Sequence, residues 1–95
     1  MENKVLIEAH VSKLGGSIGC YDSAIEKLSK NAINELLENL IDCDSTDIVV
    51  KNRGKLYVIE CSSCDDEMDF TLYTQSQYLD EYGDEYMYKF DEYTG

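Results

Sequence analysis

The segment Asp47-Ile48-Val49-Val50-Lys51-Asn52-Arg53-Gly54-Lys55-Leu56-Tyr57-Val58-Ile59 carries the plainest structural signal in this chain. Residues 47–50 and 56–59 are rich in β-branched and aromatic side chains and flank Asn52-Arg53-Gly54. Glycine supplies the positive φ that a short hairpin loop with a bulge needs, so the two runs are expected to pair antiparallel. Downstream, Ser62-Ser63 and Asp65-Asp66 mark another turn. Met68, Phe70 and Leu72 then alternate with Asp69, Thr71 and Tyr73, which predicts a further strand. Together these make a three-stranded antiparallel meander.

Upstream, Ile25, Leu28, Ala32, Ile33, Leu36, Leu37, Leu40 and Ile41 recur at three- and four-residue steps. That spacing predicts one amphipathic helix of roughly five turns, about 30 Å long. Ser23 and Glu26 have the spacing of a capping box at its start. Before it, Val5, Ile7, Ala9 and Val11 alternate with Leu6, Glu8 and His10, which reads as a half-buried strand ending at Gly15-Gly16. This first strand could join either edge of the meander. The expected fold class is therefore α+β: a small antiparallel sheet in the order β-α-β-β-β-α, with one long helix packed on a face.

The final element is expected at Tyr78–Tyr93, where the triplet Asp-Glu-Tyr occurs at 80–82, 84–86 and 91–93. Steps of four and then seven residues return to the same side of an α-helix, placing Tyr78, Tyr82, Tyr86, Phe90 and Tyr93 in one stripe. A strand over 85–91, with Tyr86, Tyr88 and Phe90 on one side, is the competing reading, and Gly83 weakens the helix by up to ~1 kcal/mol relative to Ala.

Ninety-five residues with 43% hydrophobic content suit a single domain with its own core. The net charge of −12 is unevenly spread. Residues 1–59 hold nine acids and seven bases, whereas residues 60–95 hold eleven acids and the single base Lys89. The first part is thus a near-neutral scaffold and the second an acidic segment, which also holds six of the eight tyrosines. Such a charge argues against direct binding of nucleic-acid phosphates or an anionic membrane. No run approaches the roughly 20 apolar residues of a membrane span, and Met1–Glu8 does not read as an export signal, so a cytoplasmic protein with reduced thiols is expected.

No complete catalytic motif is present, and no enzyme activity or cofactor is expected. Cys61-Ser62-Ser63-Cys64 has CxxC spacing, but Cys20, Cys43 and the lone His10 lack the spacing that would complete a zinc site. The pair would also enter an acidic turn, which disfavours a redox thiolate. Cys61 is expected as a small core residue. Gly15-Gly16-Ser17-Ile18-Gly19 matches neither phosphate-loop pattern, has no lysine, and reads as a flexible crossover loop. The carboxylates at 42, 44 and 47, and at 65–69, match no calcium-loop pattern.

The acidic segment is the remaining candidate surface. In a helix, the six carboxylates of 80–92 would fall within roughly 18 Å of axis, about one per 3 Å. One strand of duplex DNA places a phosphate every ~3.4 Å of axis. In size, charge and its short sheet followed by the Asp-Glu-Tyr segment, the chain resembles the small acidic inhibitors that phages direct against nucleic-acid-handling defence enzymes, the anti-CRISPR and antirestriction DNA mimics. The resemblance spans mainly residues 47–93 and implies a stoichiometric inhibitor that occupies a basic DNA- or RNA-binding groove, such as that of a CRISPR nuclease. The expected contacts are Asp65, Asp66, Glu67, Asp69, Asp80, Glu81, Asp84, Glu85, Asp91 and Glu92, with Tyr82, Tyr86 and Tyr93 as packing anchors. An immunity protein or antitoxin against a basic nuclease toxin would share this physics. A small metal or redox module built on Cys61 and Cys64 is the alternative from another class.

Overall fold

Two successive left-handed residues, Arg53 (φ +53°) and Gly54 (φ +84°), turn the chain between β2 (Thr46–Asn52) and β3 (Lys55–Cys64) in a computed structural model that describes residues 2–93. Paired positive φ values are the mark of the two-residue hairpin turn whose twist matches that of the strands. No bulge is needed: register runs without offset from Asn52↔Lys55 to Thr46↔Cys61. A second two-residue turn, Asp65-Asp66, has Asp65 at φ +56° and leads into β4 (Glu67–Thr74), paired antiparallel with β3 from Cys64↔Glu67 to Tyr57↔Thr74. The expected meander is present, with strands longer than their apolar cores.

The first element departs from expectation. Residues Glu2–Lys13 form a helix, α1, and not a strand. Its buried positions are Asn3, Ile7 and Val11, one per helical turn, while Val5 and Leu6 are left exposed. The alternation that suggested a strand arises because Val5 and Ala9 are apolar without being core residues. Asn3 is the non-local part of this answer. Its buried side-chain amide donates to the carbonyls of Ile25 (2.9 Å) and Leu28 (3.0 Å), tying α1 to the segment that follows the next strand.

That next strand, β1 (Ser17–Tyr21), replaces the expected flexible glycine loop. It lies parallel to β4, with Ser17↔Glu67 and Ile18↔Met68 in register, so the sheet is mixed and ordered β1-β4-β3-β2. Glycine is required here for close approach. A Cβ on Gly19 would stand 2.5 Å from Asp69 Oδ1, the atom that accepts the Cys20 backbone N–H at 2.7 Å.

The single five-turn helix is also divided. Ser23–Lys27 is a 3₁₀ turn capped by Asp22, Leu28 is extended, and α2 (Lys30–Asn39) starts afresh under the Ser29 hydroxyl, which accepts from Ala32 N–H at 3.3 Å. The Ser23–Glu26 capping box does not form. Glu26 instead accepts from the Tyr21 hydroxyl and, at 2.8 Å, from the Lys4 N–H. The apolar spacing survives the break because Ile25, Leu28, Ala32, Ile33, Leu36 and Leu40 all bury against the same face of the sheet.

Strand alternation separates two cores. Ile48, Val50, Ile59, Cys61, Met68 and Phe70 face α1 and α2. Val58, with Val49, Leu56 and Tyr73 around it, faces the C-terminal segment. That segment is helical as expected, but not as one rod. It comprises α3 (Gln75–Tyr82), a 3₁₀ turn (Asp84–Met87) and α4 (Tyr88–Asp91), broken at Gly83 with φ +111°. A full capping box between Thr74 and Gln77 starts α3. Three layers result: helices, sheet, helices. No helix among the described residues is long and apolar enough to cross a membrane.

Candidate acidic surface

The aromatic stripe is what attaches the acidic segment to the sheet. Tyr78 is 1% exposed and centres the second core, with Tyr73, Tyr86 and Phe90 edge-on at 6.0–6.3 Å and Tyr82 tilted at 4.7 Å. Edge-to-face packing of this kind adds about 0.5–1.5 kcal/mol per pair beyond burial. The hydroxyls then reach carboxylates of the scaffold: Tyr78 donates to Asp47 (2.7 Å), Tyr82 to Glu60 and Tyr93 to Glu35. These three acceptors come from β2, β3 and α2, so the C-terminal layer is bound to three separate elements. Tyr82, Tyr86 and Tyr93 therefore bind the chain's own scaffold through ring or hydroxyl. Of these, Tyr82 keeps 37% of its surface exposed, alongside Met87 and Tyr88, which are exposed to 39% and 49%.

Lys89, the only base after residue 59, is turned inward. Its ammonium lies 3.5 Å from Asp47 Oδ2 and 5.6 Å above the rings of both Tyr78 and Tyr86. Burial works against its charge, but the Tyr78 and Asp47 contacts outweigh that and hold its pKa above the ordinary value. The consequence for the surface is direct. The outward acids of the segment are not interrupted by a cation.

Those acids divide into two groups. Asp80 and Glu81 on α3 and Asp84 and Glu85 on the following turn are exposed, as are Asp65, Asp66 and Glu67 in the β3–β4 turn; Asp69 is half-buried. The pairing Tyr57↔Thr74 places the start of α3 at the far end of β3, and the Tyr82–Glu60 bond carries its end back toward the Asp65-Asp66 turn. Glu60 and Cys64 are four residues apart, about 13 Å along the strand, so the acids of α3 and those of the β3–β4 turn stand as two clusters spaced along the outer face. Asp91 and Glu92 do not join them. They follow α4 toward Glu35 and Glu38 at the β2 edge, where Glu92 and Tyr93 line a groove of about 630 Å³. The break at Gly83 thus replaces a single line of six charges by two patches.

The tyrosine–carboxylate bonds also set a pH limit. Burial, and then the neighbouring Glu35, pushes the Tyr93 hydroxyl up to about 12. Tyr78 is raised by burial and by Asp47, and Tyr82 is held above the ordinary phenol range by its bond to Glu60. A group whose pKa is higher in the folded than in the unfolded chain stabilises fully below the unfolded value, here about 10. That contribution disappears as pH rises from about 10 through the raised values. The C-terminal layer is therefore expected to detach in alkali, with tyrosinate absorbance and exchange of the α3 amides rising together above pH 10. Ionisation of all eight tyrosines near pH 10 with α3 still protected would show that these bonds do not hold the layer.

The cysteines do not assemble. Cys61 and Cys64 are three residues apart on β3, so they belong to opposite faces of the strand. Cys61 is buried against α2 and its thiol is pushed up to about 12 by burial and then by Asp47 and Glu60, while Cys64 is exposed. Among the described residues no group of three or more His, Cys, Asp or Glu is placed to hold a metal ion. His10 lies on α1, not on a strand, and its Nε2 is 2.6 Å from the Leu40 carbonyl. Comparison with protein-family models, curated proteins and solved structures returned no match.

Sequence patterning located the outward acids but not their counterparts. Glu35, Asp47 and Glu60 act as acceptors for tyrosines 22–58 residues away, and no local signal marks them. Met87 and Tyr88 as exposed apolar neighbours of the acids were likewise outside the expected anchors.

Proposed function

We propose that this protein is a stoichiometric inhibitor that inserts the outer acidic face, Asp65–Asp69 with Asp80–Glu85, into a basic nucleic-acid-binding groove of a nuclease or defence effector, such as a CRISPR nuclease. The inward fold of Lys89 carries this reading: the one cation of the segment lies against Asp47, so the exposed carboxylates at 80, 81, 84 and 85 stand beside a packed aromatic layer without a base among them, and those at 65–67 add to the same charge. A disordered acidic tail would lose ordering entropy on binding; this surface is ordered before it meets a partner. Tyr82, Met87 and Tyr88 offer apolar area beside the charges, the combination that interface anchors use. Glu92 and Tyr93 line the groove at the β2 edge instead, and Tyr93 supplies the tie to α2 through its bond to Glu35.

Affinity for a CRISPR nuclease loaded with its guide, measured with and without a saturating target duplex, tests this. Binding is expected to be one-to-one, to be lost when the duplex is bound first, and to weaken by at least tenfold between about 50 and 200 mM salt, as contacts of this kind do. Simultaneous binding of duplex and inhibitor, across a panel of such nucleases and restriction enzymes, would remove the mimicry reading.

A further inference from the structure

The outer edge of β2 offers a second kind of recognition, one based on main-chain hydrogen bonding. The sheet order leaves β2 unpaired on one side. The two-residue turn closes on Asn52 and Lys55, which makes that pair the first hydrogen-bonded one of the hairpin. Bonded and non-bonded pairs alternate in an antiparallel ladder, so Val50↔Tyr57 and Ile48↔Ile59 are bonded inward. Asp47, Val49 and Lys51 then direct their N–H and C=O groups away from β3. Lys51 bears this out: its N–H donates to Glu35 Oε1 at 3.2 Å, outside the sheet.

Open edges are usually covered, because they template further strands. Here the cover is partial. Glu35 shields Lys51 and is itself held by the Tyr93 hydroxyl, which reaches across the edge from the opposite layer. Beyond this strap, Thr46–Val49 form the floor of the 630 Å³ groove, between Glu35, Glu38 and Asn39 on one wall and Glu92 and Tyr93 on the other. Both walls carry carboxylates, and no lysine or arginine lines the groove. A second copy of a chain with net charge −12 would bring like charges to both walls.

We propose that this edge binds an extended, basic segment of a partner protein, added as a fifth strand beside Asp47 and Val49. Side chains of an added strand alternate between faces, so successive residues meet the Glu35–Glu38 wall and the Glu92 wall in turn. The preferred segment therefore carries adjacent lysine or arginine residues in an otherwise β-favouring run. This site is separate from the outer acidic face, and either can fail alone.

The probe is a synthetic eight-residue peptide of Thr, Val, Arg and Lys with two adjacent basic pairs, added to the full-length protein. The amide protons of Asp47 and Val49 are expected to shift and gain exchange protection. The same peptide with alternate backbone nitrogens methylated keeps its charge, loses its ladder bonds and should bind at least tenfold more weakly. Glu38→Lys, a change at an exposed residue, should weaken the parent peptide by at least tenfold with the fold intact. Neutralising Asp80, Glu81, Asp84 and Glu85 should leave peptide binding within twofold. Equal binding of the methylated peptide, or shifts centred on residues 80–85, would overturn the proposal and leave only general charge attraction.

Discussion

Tyr78→Ala is expected to destabilise the protein by about 3–5 kcal/mol, the cost of truncating a large buried aromatic residue. For a domain of this size that lowers Tm by about 12–40 °C, since each kcal/mol shifts it by about 4–8 °C. The size of the effect follows from position. Tyr78 is 1% exposed and its ring contacts Tyr82, Tyr86 and Phe90, so its removal opens the centre of the C-terminal layer. It also leaves Asp47, which accepts its hydroxyl at 2.7 Å, with Lys89 as its remaining side-chain partner. Tyr78→Phe separates these causes. It keeps the ring and should cost only about 1–3 kcal/mol, the range for losing a hydrogen bond to a charged group. Urea unfolding of both variants, followed by circular dichroism, supplies the comparison. An alanine variant as stable as the phenylalanine one would mean that the aromatic layer contributes little and that the acidic face is not held by it.

That layer shows why some of the fold was legible and some was not. The hairpin at Asn52–Lys55 is decided by two residues of turn chemistry and by β-branched neighbours, all within a dozen positions. The Tyr78–Phe90 stripe survives its break at Gly83 because a 3₁₀ turn and a short helix still return the tyrosines to one side. In α1, by contrast, the periods of two and four share Ile7 and Val11, and the choice between them rests on Asn3. A buried amide satisfied by the Ile25 and Leu28 carbonyls has no hydrophobic signature. β1 is harder still: Ser17-Ile18-Gly19-Cys20-Tyr21 has little strand character, and its place is set by a parallel register with β4 some fifty residues on. The same divide runs through the candidate site. Acids that face water are counted from the sequence directly, whereas Glu35, Asp47 and Glu60 acquire their role only when distant tyrosines reach them.

Neutralising Asp80, Glu81, Asp84 and Glu85 together, as Asn and Gln, is expected to weaken binding to the basic groove by about 4- to 700-fold. The figure takes about 0.2–1 kcal/mol for each exposed charge contact, with tenfold in affinity per 1.4 kcal/mol. All four side chains are exposed, and none accepts a hydrogen bond or ion pair from another described residue, so the change removes no internal support. Stability should hold or rise slightly, because removing four negative charges lowers the self-repulsion of a chain with net charge −12. The loss should appear mainly in the association rate and shrink as salt is added, since exposed charges steer encounter and are screened within about 8 Å at physiological ionic strength. Net charge alone would produce part of this, and a matched variant distinguishes the two causes. Neutralising Glu2, Glu8, Asp42 and Asp44 also takes the formal charge from −12 to −8, but those acids belong to α1 and to the segment between α2 and β2. If the outer face is the inhibitory surface, that second variant stays within about threefold of the parent at physiological salt, while the first does not. Equal losses in both would assign the effect to the overall field, and with it the claim that residues 80–85 are positioned to imitate a nucleic-acid backbone would fall.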